Sequence, residues 1–356
     1  IAAPARRGSR GTGAAYPEVM ERGAHRTVRA TLALAVVAAA AACSGGCSGT
    51  GCGAPTTTPR TTTTTTTTTP PPGPTPLVGG PVLAVKIDNT PRARPRIGLD
   101  QADVVYVEPV EGGLTRLLVI FSRHQAPQVG PVRSARESDV TLLANYGRVA
   151  LAFSGSSSYT AGVLARGTQV NLSFDQSSLG FRRDHSRPAP YNVIGDPKVL
   201  LARAGGSVRP GDIGFRYGPA IAGGAAATTV TASWPSATET LTWNAVRKEY
   251  LVTTDGRPDV SPSGRQYGAS TVVVQFVVTK DSPNLDVNGR PTPVEQLVGS
   301  GRAVVLRGGQ VFQGEWSRAA ATAPTTFKAN GEVVTFAPEG TVWVLLVPVG
   351  RPVTVR

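Results

Sequence analysis

The pattern of apolar and polar positions changes along the chain, and residues 77–205 mix two kinds of spacing. Short apolar runs of strand length alternate there with segments whose apolar residues recur at helical spacing. Strands mixed with helices predict an α+β or α/β domain over residues 77–205. The predicted strands are Val82–Ile87, Asp103–Val107, Leu114–Phe121 and Val149–Phe153, and the predicted helices begin at Ser134 and at Pro197, the second with Asp196 as its cap and Ala204 as its end.

The pattern becomes purely β-like after residue 206. Turn signals such as Asp255-Gly256, Asn288-Gly289 and Asn330-Gly331 separate short apolar runs. Only Pro293–Val298 fits a helical turn. We therefore expect a mostly antiparallel β domain over residues 206–356. Its predicted strands are Thr228–Trp234, Thr240–Trp243, Lys248–Thr253, Thr271–Val278, Ala303–Leu306, Gln310–Trp316, Glu332–Phe336 and Thr341–Val347.

Residues 1–43 have the features of an over-extended start followed by a bacterial lipoprotein signal peptide. Met20 is the only methionine, and positive residues after it precede an apolar run from Ala30 to Ala42. This run is too short to span a bilayer, and it ends in small residues before Cys43. We expect Cys43 to be lipidated, which places the protein outside the cytoplasm and anchors it to the bacterial cell membrane. An ordinary cleaved secretory signal is the alternative.

The composition of residues 44–76 predicts a disordered linker. Threonine fills Thr61–Thr69, three prolines follow, and apolar side chains that could build a core are missing from this stretch. The prolines favour an extended form that holds the following domain away from the membrane.

The charge is +13, from 36 Lys+Arg and 23 Asp+Glu. A basic chain suits anionic partners such as lipid head groups or cell-wall polymers, although a solvated arginine-rich surface explains the charge equally well. The three cysteines all precede Pro55 and the chain has three histidines, so we predict neither a metal site nor a disulfide framework. Nucleotide-binding motifs are missing, which predicts no cofactor, and export argues against a nucleic-acid partner.

The segment Gly130–Glu137 is the best-defined candidate site. Ser134 and Glu137 have capping-box spacing, which predicts a helix N-terminus at Ser134. Such an end attracts anions, and neighbouring arginines can bind phosphate or carboxylate in bidentate fashion. An ion-pair network with acidic residues of the same domain is the alternative. The candidate ligand-binding residues are Arg116, Arg133, Ser134, Arg136, Arg183, Arg187 and Asn192.

Two carboxylates are candidates for general acid–base chemistry. Glu111 precedes a Gly-Gly turn between two predicted strands, and Asp184 lies in a polar loop with several prolines. An exposed turn residue is the alternative explanation of Glu111. The sequence leaves open whether the protein is an enzyme.

Several motifs, in order, resemble the YerB-like bacterial lipoproteins, and they span nearly all of residues 81–350. The resemblance implies a lipid-anchored envelope protein with two domains, and it supplies no reaction. Tyr191 stands where the family pattern has His, so a role that needs an imidazole there is not supported. The matching stretches are Asn89–Tyr106, Glu111–Arg116, Gly130–Arg136, Arg183–Asn192, Gly314–Arg318 and Gly340–Trp343.

These observations favour a membrane-anchored envelope lipoprotein that binds an anionic or glycan component through an arginine cluster at a helix N-terminus. The expected partner is a cell-wall or lipid-linked anionic polymer. A hydrolase or transferase acting on glycan or phosphate linkages is one alternative, with Glu111 or Asp184 as the acid or base. A scaffold that binds protein partners through the β domain is the other.

Overall fold

The dominant feature of the computed structural model is a mixed β-sheet, and the chain is mostly β with few, short helices. The structure describes residues 75–76 and 80–356. The predicted signal peptide, Cys43 and nearly all of the predicted linker therefore lie outside the described residues. Within the described ranges, no helix has the length and apolar character needed to cross a membrane.

The described ranges contain 25 strands, three α-helices and five short 3-10 turns. The strands are β1 (Thr75–Pro76), β2 (Leu83–Asp88), β3 (Val104–Pro109), β4 (Thr115–Phe121), β5 (Gly147–Arg148), β6 (Ala150–Phe153), β7 (Val170–Ser173), β8 (Phe181–Arg183), β9 (Val193–Gly195), β10 (Arg209–Pro210), β11 (Arg216–Tyr217), β12 (Ala225–Ala226), β13 (Thr229–Trp234), β14 (Ala237–Asn244), β15 (Glu249–Thr254), β16 (Arg257–Pro258), β17 (Gly268–Ala269), β18 (Thr271–Leu285), β19 (Pro291–Gln296), β20 (Gly299–Arg307), β21 (Gln310–Arg318), β22 (Thr326–Ala329), β23 (Glu332–Val333), β24 (Val342–Pro348) and β25 (Val353–Val355). The α-helices are α1 (Ser138–Leu143), α2 (Ser158–Leu164) and α3 (Pro197–Ala204), and short 3-10 turns cover Pro91–Ala93, Leu99–Gln101, Glu111–Gly113, Ala144–Tyr146 and Gly205–Ser207.

The main sheet contains strands from both halves of the chain. Its order is β23-β22-β21-β20-β18-β24-β3-β4-β2-β6-β7, with β12 beside β21 and β19 beside β18. Strand β24 runs parallel to both of its neighbours, β18 and β3, and places Val342 opposite Val104. The far end, β2-β6-β7, is also parallel, whereas β4 is antiparallel to β3 and β2.

A second, antiparallel sheet covers one face of the main sheet. Its order is β16-β15-β14-β13-β25, with β17 on β15. Strand β13 alternates between buried and half-buried residues, as expected for a sheet with one solvated face. Its inward residue Val230 joins the same core as Val105 and Val119 of the main sheet. The opposite face packs on α1 through Leu142 and Leu143. Because both faces are covered, β2 and β3 are buried along their whole length.

The helix predicted at Pro197–Ala204 is confirmed with its bounds and its cap. The Asp196 carboxylate accepts a hydrogen bond from the backbone N–H of Val199 at 3.1 Å. The prediction of a short helical turn at Pro293–Val298 is wrong, because this segment pairs with β18 as strand β19. Helix α2, which the sequence analysis missed, is capped by Ser157, whose hydroxyl accepts from the N–H of Thr160.

The helix predicted to begin at Ser134 begins four residues later, so Ser134 is not its cap. The cause is the backbone pairing of the preceding segment. The N–H of Arg133 donates to the Lys86 carbonyl at 2.8 Å, and the N–H of Ala135 donates to the Gly155 carbonyl at 3.1 Å. These bonds hold the segment in extended form between the ends of β2 and β6. The predicted arginine cluster at a helix N-terminus is therefore an arginine cluster on an extended segment.

Candidate functional site

Two of the sequence motifs, Glu111–Arg116 and Gly130–Arg136, meet in one surface cleft, called here the arginine cleft, with a volume of about 520 Å³. Its residues come from the turn after β3, the start of β4, the segment before α1, the loop before α2, and the hairpin formed by β18 and β19. Of the residues singled out in the sequence, the cleft contains Glu111, Arg116, Arg133, Ser134 and Arg136.

Three of the four arginines that line the cleft form ion pairs, among them Arg290, which lies 2.8 Å from Asp286. Arg133 Nε lies 2.7 Å from Asp88 Oδ2, and Arg136 Nη2 lies 2.6 Å from Glu111 Oε2. Arg116 donates to the backbone carbonyl of Ser134 at 3.1 Å, and the described part of the chain gives it no ion pair. Four guanidinium groups therefore face the three carboxylates of Asp88, Glu111 and Asp286, which leaves the cleft with one positive charge.

Burial and repulsion act together on Arg116. Burial, together with the positive charges of Arg136 and Arg133, lowers its pKa to about 9, against the weaker opposing effect of the Asp88 and Glu111 carboxylates. Even so, the guanidinium stays protonated at neutral pH. An anion in the cleft would relieve the repulsion and supply the counter-charge that Arg116 lacks.

The carboxylates of Asp88 and Glu111, which pair with Arg133 and Arg136, are ionised. Burial acts to raise the pKa of Asp88, but hydrogen bonds from Thr90 and Arg133 outweigh it, so the pKa lies below its usual value. The same balance holds at Glu111, where Arg136 and Thr292 donate to the carboxylate and lower its pKa. A carboxylate held in this way is a poor proton donor near neutral pH.

The hairpin of β18 and β19 forms one wall of the cleft, and the sequence analysis missed its role. Thr292 Oγ1 donates to Glu111 Oε1 at 2.5 Å, and Ser282 Oγ donates to Glu137 Oε1 at 2.6 Å. These two bonds dock the hairpin on the motifs of the first half. The Asn288-Gly289 turn signal located the hairpin, but only the fold shows what it packs against.

A buried charged cluster lies beside the cleft. Lys86 forms ion pairs with Glu108 and with Asp139, the latter at 2.6 Å, and none of these three side chains is more than 1% exposed. Glu295 is 2% exposed, and its backbone N–H donates to Ser138 Oγ at 3.3 Å. Burial raises the pKa of Glu295 to about 7. A lysine inside the apolar run of β2 was the sequence signal for this cluster.

Asp184 and Arg187 line a different cleft, of about 640 Å³, together with Ile97, Asp100 and Ser261. They form an ion pair with each other at 3.3 Å, and Arg187 also donates to the Pro95 carbonyl. The structure thus separates Asp184 from Glu111 and from the arginines of the arginine cleft.

The loop that carries Asp184 reaches the arginine cleft through Tyr191. The guanidinium of Arg133 lies over the Tyr191 ring, 5.6 Å from its centroid. Arg183 donates to Asn192 Oδ1 at 2.9 Å and lies over the ring of Phe174. Neither Arg183 nor Asn192 lines the cleft, and their contacts shape the loop that presents Tyr191.

Part of the Asn89–Tyr106 motif joins the two sheets. Asn89 Nδ2 donates to Glu239 Oε1 at 2.8 Å, and the fully buried Arg96 forms an ion pair with Asp259. Both acceptors belong to the second half of the chain. Over residues 75–76 and 80–356, no group of three or more His, Cys, Asp or Glu side chains is arranged to hold a metal ion.

Comparison with known proteins identifies the family. The protein "Putative lipoprotein YerB" of Bacillus subtilis (strain 168) is 38% identical over 121 residues, which are 31% of this chain and 33% of that protein. The crystal structure of the YerB protein from Bacillus subtilis has the same fold, with a TM-score of 0.65 and 22% identity, over 78% of this chain and 94% of that one. The family described as "Protein of unknown function (DUF3048)" matches with its N-terminal domain over residues 67–209 and with its C-terminal domain over residues 229–344. The chain therefore belongs to the DUF3048 family.

Proposed function

We propose that this protein is a lipid-anchored, extracytoplasmic protein of the bacterial envelope that binds an anionic envelope component in the arginine cleft. The anchor rests on the signal features before Cys43 and on the name of the YerB relative, which calls that protein a lipoprotein. In this proposal the chain consists of an α+β or α/β domain over residues 77–205 and a mostly antiparallel β domain over 206–356. The two share the main sheet.

The observation that carries the proposal is the charge of Arg116. It is half-buried, it lies beside two further arginines, and it forms no ion pair within the described residues. Hydrogen bonds to charged groups contribute about 1.5–3 kcal/mol each. An anion that reaches Arg116 gains such bonds and removes a repulsion that the free protein maintains. A purely structural network would instead have balanced its charges.

The geometry supports binding better than catalysis. Glu111 is ionised and held by Arg136 and Thr292, and Asp184 lies in the other cleft. A general acid must carry a proton near neutral pH, which the lowered pKa of Glu111 disfavours. The protein-scaffold alternative does not use the charge of the cleft.

The test is calorimetric titration of the purified full chain with inorganic phosphate and with phosphate-bearing wall polymer, at low and at high salt. We expect salt-sensitive binding that weakens at least ~10-fold in Arg116→Gln, the loss of one charge-assisted hydrogen bond. Arg257→Gln, an exposed arginine on β16, is the matched control and should bind like the wild type. Equal binding by wild type and Arg116→Gln, or none by either, would contradict the proposal.

A further inference from the structure

Two exposed apolar side chains stand at the edge of the arginine cleft. Val287 is fully exposed, at 100%, and Leu285 is 55% exposed, and both line the cleft together with Arg116, Arg133 and Arg136. Isolated exposed hydrophobic residues are common on protein surfaces and need no explanation. This pair differs because it lies beside a positive charge that has no counter-ion of its own.

Val287 lies in a turn that is closed by hydrogen bonds to Asp286. The Asp286 carboxylate accepts hydrogen bonds from the backbone N–H of Asn288 at 2.8 Å, from that of Arg290 at 2.9 Å, and from Arg290 Nε at 2.9 Å. These bonds satisfy polar groups of the turn within the turn itself. The side chain of Val287 points away from them and stays exposed. The Thr292–Glu111 hydrogen bond then fixes the hairpin beside the arginines. A hairpin tip with exposed apolar side chains beside a cationic cleft is suited to a ligand that has both an anionic group and an apolar part.

We infer that the ligand of the arginine cleft is a phosphate ester of an aliphatic alcohol, with the phosphate at Arg116 and the hydrocarbon chain along Leu285 and Val287. The inference rests on the proposed function, because it assumes that the arginines bind the anion. It narrows the ligand class to amphipathic phosphates. The source of the phosphate is either a lipid in a bilayer or a free amphiphile, and the two share the chemistry that the cleft recognises.

The test measures the binding of three probes to the full chain by calorimetry. The probes are inorganic phosphate, hexyl phosphate, and phosphatidylcholine vesicles with and without phosphatidic acid. We expect hexyl phosphate to bind about 10-fold more tightly than inorganic phosphate. That ratio corresponds to about 1.4 kcal/mol, or to about two methylene groups removed from water. The double variant Leu285→Ser/Val287→Ser should lose this ratio and keep its affinity for inorganic phosphate. Val246→Ser, at an exposed position on the turn after β14, is the matched control and should keep the ratio.

The outcomes separate the inference from the proposed function. If inorganic phosphate binds and Arg116→Gln weakens it, but hexyl phosphate gains nothing, the inference is wrong and the proposed function stands. If neither inorganic phosphate nor hexyl phosphate binds, the inference and the proposed function are both wrong.

Vesicles that bind only when they contain phosphatidic acid, and that bind less to the double variant, identify a bilayer lipid as the source. Binding of hexyl phosphate without vesicle binding identifies a free amphiphile. Vesicle binding that is unchanged in Arg116→Gln, without a gain for hexyl phosphate, shows surface adsorption and overturns the inference.

Discussion

Replacing Glu295 by Gln should change how the stability of the protein depends on pH. Glu295 is 2% exposed, it has no ion pair among the described residues, and burial raises its pKa from the usual 4.5 to about 7. In the unfolded chain the carboxyl loses its proton near pH 4.5, whereas in the folded chain it keeps the proton until about pH 7. Between these values the folded state binds more protons, so stability falls as pH rises through this window.

The magnitude follows from the two pKa values. A difference of about 2.5 units corresponds to about 3 kcal/mol, of which roughly 2–3 kcal/mol is lost between pH 5 and pH 8. Glu295→Gln cannot ionise, so its stability relative to the wild type should rise by that amount over the same interval. Comparing the two pH values cancels the constant effect of the amide on packing.

Urea unfolding of both proteins at pH 5 and pH 8, followed by far-UV circular dichroism, measures this change. Glu332→Gln, an exposed carboxyl on β23, is the matched control for the substitution itself. A difference between wild type and Glu295→Gln that is the same at both pH values would show that Glu295 does not titrate in this window, and would refute the reasoning.

Two further substitutions test the cluster and the capping assignment. Lys86→Met should destabilise the protein by about 3–5 kcal/mol, because it leaves the carboxylates of Glu108 and Asp139 buried without their cation. Urea unfolding at pH 7 measures this change, and a loss of stability below about 1 kcal/mol would contradict the expectation. Asp196→Ala should cost about 1 kcal/mol, since the first turn of α3 loses the acceptor for Val199 N–H, whereas Asp196→Asn should recover most of it; equal stability of the Ala and Asn variants would show that the cap contributes nothing.

Local patterns allowed the strands around the site to be predicted. The runs at Val82–Ile87 and Leu114–Phe121 correspond closely to β2 and β4, and Pro197–Ala204 is α3. In each case the signal is local, an apolar run or a cap followed by proline. The Ser134 capping box failed because the backbone N–H groups on either side of Ser134 donate to Lys86 in β2 and to Gly155 just after β6, which no local pattern reveals.

The composition of the cleft could be predicted only in part. The arginine motifs were visible as sequence, and three of the arginines do converge. Their pairing was not visible, because Asp88 and Thr292 are distant in sequence and ordinary in type. The hairpin wall comes from the second half of the chain, and a parallel strand pairing of long sequence separation brings it there. Such pairings carry no periodic signal.

The position of β24 has a consequence for how the protein comes to be folded. This strand lies in the middle of the main sheet, between β18 and β3, yet it follows every other strand of that sheet along the chain. Until it arrives, the fully buried β3 has an open edge of unpaired backbone groups, which is the kind of edge that promotes aggregation. A nascent or truncated chain that ends before Val342 cannot close this gap. The strands of residues 83–173 thus depend for their completion on a strand that is synthesised long after them, and folding is expected to be slow and to need protection until then.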